Sequence, residues 1–313
     1  MRSFGRANID SQYRVLPISK QKLTEGFETL HDPANLHASP KGWNYNANAT
    51  TTDTSGNNAV AFKNDESGTA KQSSSGQNFV FTQDPTADPT TKNNLAAAIT
   101  NGFYIVNSVH DIAYLYGFTE KAYNFQNDNF GKGGTGGDRV RVSIQNTQGV
   151  DNAYFSTPPD GQPGQMAMFL WDATHPERDG ALENDVPVHE NTHGISNRMT
   201  GGGTARCLQT EESAGMGEGW SDAMAEWTEQ RDGEVRDFVV GPYVTNNPAG
   251  IPSYPYSTNA YVSLLERIWW GAVGADAGSW MHLGRPTLCA IRACRPAPRS
   301  MVSCVPATAI SLG

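Results

Sequence analysis

Long apolar runs are absent from this sequence. No stretch of 18 or more apolar residues occurs in its 313 residues, so no transmembrane helix is encoded. Charged side chains are few, 18% of the chain, and lean acidic: 32 Asp and Glu against 23 Lys and Arg give a net charge of −9. No lysine and arginine cluster is dense enough to suggest a nucleic-acid partner or a membrane surface. Cysteine is scarce. Cys207, Cys289, Cys294 and Cys304 form no C-x-x-C pair, which disfavours a cysteine zinc ribbon and leaves disulfides and free thiols both open. The opening residues, Met1 to Arg6, lack the apolar core of a secretory signal peptide, and none is expected here. Glycine is plentiful, at 32 residues, alongside much Asn, Ser and Thr, as in a globular chain rich in loops. One N-glycosylation sequon, Asn48-Ala49-Thr50, matters only if the chain enters the secretory pathway.

Residues 1–44 read as loops and short strands. Residues 45–93 read either as a linker or as a loop-rich β region, given the islands Ala59-Val60-Ala61-Phe62 and Phe79-Val80-Phe81. The first long helix is predicted from about Asn93 to Tyr116. Leu95, Ile99, Phe103, Val106, His110 and Ala113 recur there at helical spacing along one face, and His110 reads as a core histidine. Gly131 to Gly137 lacks the spacing of a phosphate loop and precedes a strand where that motif needs a helix. It reads as a flexible loop. Strands are predicted at Arg139 to Gln145, Asn152 to Phe155 and Met166 to Trp171, giving a curled antiparallel sheet beside the long helix.

The chemistry concentrates at His189-Glu190-Asn191-Thr192-His193, an H-E-x-x-H pattern. On a helix, positions i and i+4 share a face, so both imidazoles can reach one zinc ion, and the glutamate can act as general base. Asp185 is the expected N-cap. Gly194 is expected to weaken the helix locally, and Asn197 to Gly203 to form its exit loop. No third histidine follows at metzincin spacing. The acidic candidates are Glu211, Glu212, Glu218 and Asp222. Glu218 and Asp222 stand at i and i+4 in a helical segment, so Glu218 is read as the third ligand. Asp222 is read as the acceptor for a ligand histidine's other ring N–H.

The runs Val188 to Gly202 and Met216 to Asp222 resemble the catalytic core of the fungalysin-type metallopeptidases, secreted zinc endopeptidases related in fold to thermolysin. Asp111 to Gln126, Asn129 to Gly134, Asn152 to Gly164 and Ser39 to Trp43 are similar to the same family's mature domain, so the likeness spans roughly residues 10 to 260. It implies an α+β, two-lobed, thermolysin-like fold. The β-rich N-terminal lobe would occupy 1–185, the zinc-binding helical region of a truncated C-terminal lobe 186–276, and an atypical tail 277–313. It further implies one catalytic Zn(2+) held by His189, His193 and Glu218, Glu190 as the base toward a zinc-activated water, and Asp222 behind the ligands. Protein or peptide substrates, extracellular location and synthesis as a zymogen follow from the same likeness. By analogy, Asn152 to Phe155 is the edge strand along which substrate aligns.

The chain departs from the family pattern in several places. The family's pro-segment is not found here. Asn191 replaces an aromatic or apolar residue, and Pro187 is unusual before the first histidine. The downstream helix with a His-x-x-Gly-Glu-Val-Trp-Ala-like sequence is missing, and Tyr261 to Trp270 follows at once. Beyond Asp276 there is no acidic residue or lysine, yet there are four arginines and three cysteines, as after a misread exon boundary or a changed reading frame. His282 has no context that would make it an oxyanion-stabilising group. The expected function is a zinc-dependent endopeptidase; the alternative is a catalytically inactive zinc-binding fragment of one.

Overall fold

A computed structural model describes residues 10–230, 236–251 and 256–257. In chain order the strands before the first long helix are β1 (Gln12–Val15), β2 (Glu28–His31), β3 (Tyr45–Asn46), β4 (Ala49–Thr50), β5 (Ala59–Phe62) and β6 (Asn78–Phe79). Helix α1 spans Lys92–Leu115. After it come β7 (Val140–Ser143), β8 (Ala153–Ser156), β9 (Gln165–Met168), β10 (Leu170–Trp171) and β11 (Arg178–Asp179), then α2 (Asp185–Thr200) and α3 (Glu211–Glu229). The architecture is α+β: among the described residues the strands all precede α2, which carries the histidine motif, and α3.

The main sheet has the order β5-β7-β9-β8. It is mixed, not antiparallel as the sequence suggested: β5 pairs parallel with β7, β7 pairs parallel with β9, and only β8 runs antiparallel, against β9. The reason is the crossover. A parallel pair needs a connection of a dozen or more residues, and α1 lies on the connection from β5 to β7. A second sheet, β2-β1-β6, packs its β1 on the same helix, with Tyr13 stacked on Phe79 at 5.4 Å.

Helix α1 contacts both sheets and α2. Its periodicity predicted one buried face, yet from Ala97 to Asp111 every residue is buried, polar ones included. Each polar group there is answered. Asn101 accepts from the Leu16 N–H at 2.8 Å and donates to the Ala181 carbonyl at 2.8 Å. Asp111 accepts from the Asn35 N–H and the Trp43 indole, both at 2.8 Å. His110 is the core histidine expected, its ring nitrogens 2.9 Å from Asp111 Oδ1 and 3.0 Å from Gln126 Oε1. A buried polar group without such partners would cost roughly 1–3 kcal/mol.

The region 45–93 is folded, with short strands and turns. Asn48 sits exposed at the tip of the β3–β4 hairpin, with Ala47 and Asn48 both at positive φ. The glycine-rich loop is no phosphate cradle: the Lys132 ammonium lies 3.2 Å from Glu120 Oε1 and donates to the Tyr114 hydroxyl at 2.9 Å, which pins the loop. Cys207 is disulfide-bonded. The other three cysteines, Tyr261 to Trp270, His282 and the tail 277–313 lie outside the described residues.

Candidate metal centre

Helix α2 is set by the three residues at its start. Asp185 is not the N-cap. Asn184 holds that position, with no side-chain cap bond, and Asp185 lies within the first turn. Both turn their side chains into the protein. Asn184 is fully buried, donating to the Leu16, Pro17 and Lys20 carbonyls at 2.8–3.0 Å and accepting from Asn101 Nδ2 at 3.0 Å. Asp185 Oδ2 accepts from the Gly241 N–H at 2.8 Å and from Gln21 Nε2 at 2.9 Å. Glu183, just before them, accepts from the Tyr243 and Val244 N–H groups at 2.8 and 2.7 Å. Burial pushes the Glu183 and Asp185 carboxyls up, Asp185 to about 6. The first histidine therefore follows a clamp that ties α2 to three separate parts of the chain.

The helix also runs further than its glycine suggested. Gly194 is buried within it and the helix continues to Thr200, so the expected exit loop begins only at Gly201. The glycine serves packing. A Cβ there would come within 2.7 Å of the Phe155 ring and 2.9 Å of Phe125, and a Cβ at Gly164 would reach Phe155 at 2.6 Å. Phe155 projects from β8 into this slot, and its ring lies 5.7 Å from that of Phe125. Strand β8 is an edge strand among the described residues, as expected, paired there with β9 alone. It packs on α2, and just past its end the Thr157 hydroxyl lies 3.4 Å from the His193 carbonyl.

Helix α3 begins at Thr210, whose side chain accepts from the Ser213 N–H while the Ser213 hydroxyl accepts from the Thr210 N–H, a reciprocal cap. It packs along α2 and brings Glu218 opposite the two histidines. His189 Nε2 and His193 Nε2 stand 3.0 Å apart. Glu218 Oε2 lies 3.1 Å from the first and 3.3 Å from the second. A tetrahedral zinc with bonds of about 2.0–2.1 Å has ligand atoms about 3.3 Å apart, so these three atoms fit one ion. Behind them, Asp222 Oδ1 lies 2.6 Å from His189 Nδ1. Glu211 and Glu212 fall in the exposed first turn of α3 and are not part of the cluster.

The charges reinforce the geometry. Burial alone would push the His189 imidazole down, but Asp222, with Glu218 and Glu190, reverses that and holds it well above its ordinary value. Burial pushes the Glu218 carboxyl up, and the two histidines overcome this and hold it far below the usual carboxylate range. Glu190 is buried. Desolvation raises its carboxyl, with His189 and His193 pulling the other way. The pocket thus favours positive charge at the point where the three ligand atoms meet.

Two residues were given no role from the sequence. Tyr256, 34 positions from Asp222, donates its hydroxyl to Asp222 Oδ2. Arg198, expected in the exit loop, lies in the last turn of α2 and is fully buried. Its guanidinium donates to the Pro158, Tyr123 and Gln162 carbonyls at 2.7–2.9 Å and to Asp138 Oδ2 at 2.9 Å.

Comparison with known proteins agrees with this geometry. The family model for fungalysin metallopeptidase (M36) matches residues 12–267. Extracellular metalloproteinase mep of Aspergillus terreus is 42% identical over 259 residues, which cover 80% of this chain and 41% of that protein. Extracellular metalloproteinase 4 of Trichophyton tonsurans is 42% identical over 263 residues, covering 80% and 40%. Extracellular metalloproteinase MEP of Pyricularia oryzae is 44% identical over 239 residues, covering 74% and 38%. The chain spans about two fifths of the length of these curated relatives. With the family model matched over most of its length, the chain belongs to the fungalysin (M36) metallopeptidases.

Proposed function

We propose that this chain carries the catalytic region of a zinc-dependent endopeptidase that hydrolyses peptide bonds of protein and peptide substrates outside the cell. The convergence of His189 Nε2, His193 Nε2 and Glu218 Oε2 at 3.0–3.3 Å carries the reading. These three atoms would hold one zinc ion, which when bound supplies Lewis acidity toward water and a carbonyl oxygen. The names of the relatives, all extracellular metalloproteinases, support both the activity and the location.

The remaining work falls to the chain's own side chains. Glu190 is the general base. Its carboxylate takes a proton from the attacking water and returns it to the leaving amine nitrogen. Desolvation raises its proton affinity toward the range such a shuttle needs. Asp222 accepts the His189 Nδ1–H, which leaves the lone pair on Nε2, facing the other ligands. The edge of β8 away from β9, unpaired among the described residues, offers main-chain N–H and C=O groups to an extended substrate, which adds as a further strand. In this reading residues 1–185 supply the β-rich wall and 186–276 the metal-binding region.

The test pairs metal content with cleavage. The wild-type chain should bind equimolar zinc and cut an unfolded protein. Glu190→Ala should bind the same zinc and lose roughly 10²- to 10⁴-fold in rate. Equimolar zinc with no cleavage in either form would overturn the peptidase reading and leave a zinc-binding fragment.

A further inference from the structure

We propose that Tyr256 is a positioning residue of the metal centre: its phenol fixes the Asp222 carboxylate, and through it the ring of His189. The proposal rests on the reading that His189, His193 and Glu218 hold zinc. Asp222 has two carboxylate oxygens, and both are engaged. Oδ1 lies 2.6 Å from His189 Nδ1, and Oδ2 accepts from the Tyr256 hydroxyl. A carboxylate held at one oxygen can still turn about its own bonds and carry the imidazole with it. Held at both, it has one orientation, and His189 Nε2 then stays aimed at the point it shares with His193 and Glu218.

The phenol can do this because its own place is fixed. Tyr256 and Phe238 form an antiparallel bridge, with two main-chain hydrogen bonds of 2.8 Å, and Phe238 is buried in the core. Three residues past Phe238, the Gly241 N–H donates to Asp185 Oδ2 at the start of α2. The contacts therefore close a ring around His189. From α2 it passes to Asp222 on α3, then to Tyr256, to Phe238 and Gly241, and back to α2 at Asp185. His189 is held by its helix on one side and by this ring on the other. A tyrosine that only filled space would not need its hydroxyl on the carboxylate that bonds Nδ1 of a ligand histidine.

Tyr256→Phe keeps the ring and removes only the oxygen, so the fold should survive, as checked by the melting of the metal-free protein. Zinc affinity is measured by competition with a chromophoric chelator on the whole chain. We expect wild type to bind equimolar zinc and Tyr256→Phe to bind it roughly tenfold more weakly, in the range seen when outer-shell partners are removed. Asp222→Asn should be weakened as well. The double variant should be no weaker than Asp222→Asn alone, because the tyrosine acts through that carboxylate. Unchanged affinity in Tyr256→Phe overturns the proposal, as does a loss that adds in full to that of Asp222→Asn. A wild-type chain that binds no zinc would overturn the underlying metal reading, and this inference with it.

Discussion

Arg198 is a cation with no exposure to water. Its charge is matched by Asp138, itself fully buried, with Asp160 Oδ1 at 3.4 Å, and its guanidinium lies 4.0 Å over the Phe125 ring. Burial pushes the Asp138 carboxyl up and the Arg198 guanidinium down, and each partner resists the other's loss of charge. Removing one member of such a pair strands the other. Arg198→Met should therefore destabilise the chain by about 3–5 kcal/mol, read as a lower urea midpoint. A change below about 1 kcal/mol would show that the network is dispensable. At this scale, legibility follows distance along the chain. His189 and His193 could be found because i and i+4 share a helix face whatever the tertiary fold, and Glu218 and Asp222 because they repeat that spacing. Tyr256 and the partners of Arg198 could not, because only the folded chain brings them there.

Among elements, the contact of α2 with β8 joins the helix proposed to bind the metal to the strand proposed to align substrate. It is made through the Phe155 ring, held between Gly164 and Gly194. Alanine at a helical glycine normally gains up to about 1 kcal/mol, but here the added methyl would lie 2.7 Å from that ring. Gly194→Ala should thus come out destabilising by about 1–3 kcal/mol. It should also lower kcat/KM more for long peptides than for short ones, since β8 must shift. A more stable variant with unchanged peptide preference would show that β8 is not coupled to α2. The helices α1 and α2 and the strands β5, β7, β8 and β9 were legible to within a few residues at the ends, whereas the two-residue strands β3, β4 and β11 were not. The directions of the strands were not. The alternation along β7 and the apolar run of β9 read the same in either direction, and the parallel pairing is decided by where the α1 crossover returns the chain. The exposed-versus-buried pattern of α1 misled for a related reason: Asn101, Asn107 and Asp111 are polar but satisfied inside the core.

For the molecule as a whole, buried acids shape the response to pH. Asp179 is fully buried, and desolvation drives its carboxyl up to about 6, against hydrogen bonds from Gln145 and Ala181. A raised carboxyl contributes stability that is complete below its unfolded value, near 4, and is lost as pH rises through about 6. A shift of about two pH units corresponds to about 3 kcal/mol. Between pH 4 and pH 7.5 the wild type should lose about that much more stability than Asp179→Asn, as measured by urea unfolding. Equal losses in the two proteins would show that Asp179 is ionised at both pH values.

Asn184 bears on the order in which the molecule assembles. Its hydrogen bonds reach back 168 residues to Leu16 and 83 to Asn101. A helix forms within about a microsecond, but contacts of such separation wait on slow loop closure. Both histidines leave the ribosome long after Leu16 and Asn101 but before Asp222, Gly241 and Tyr256, and the start of their helix is fixed only when the first strand, α1 and the motif meet. The stretch most easily recognised along the chain belongs to a centre that takes its final shape late in folding.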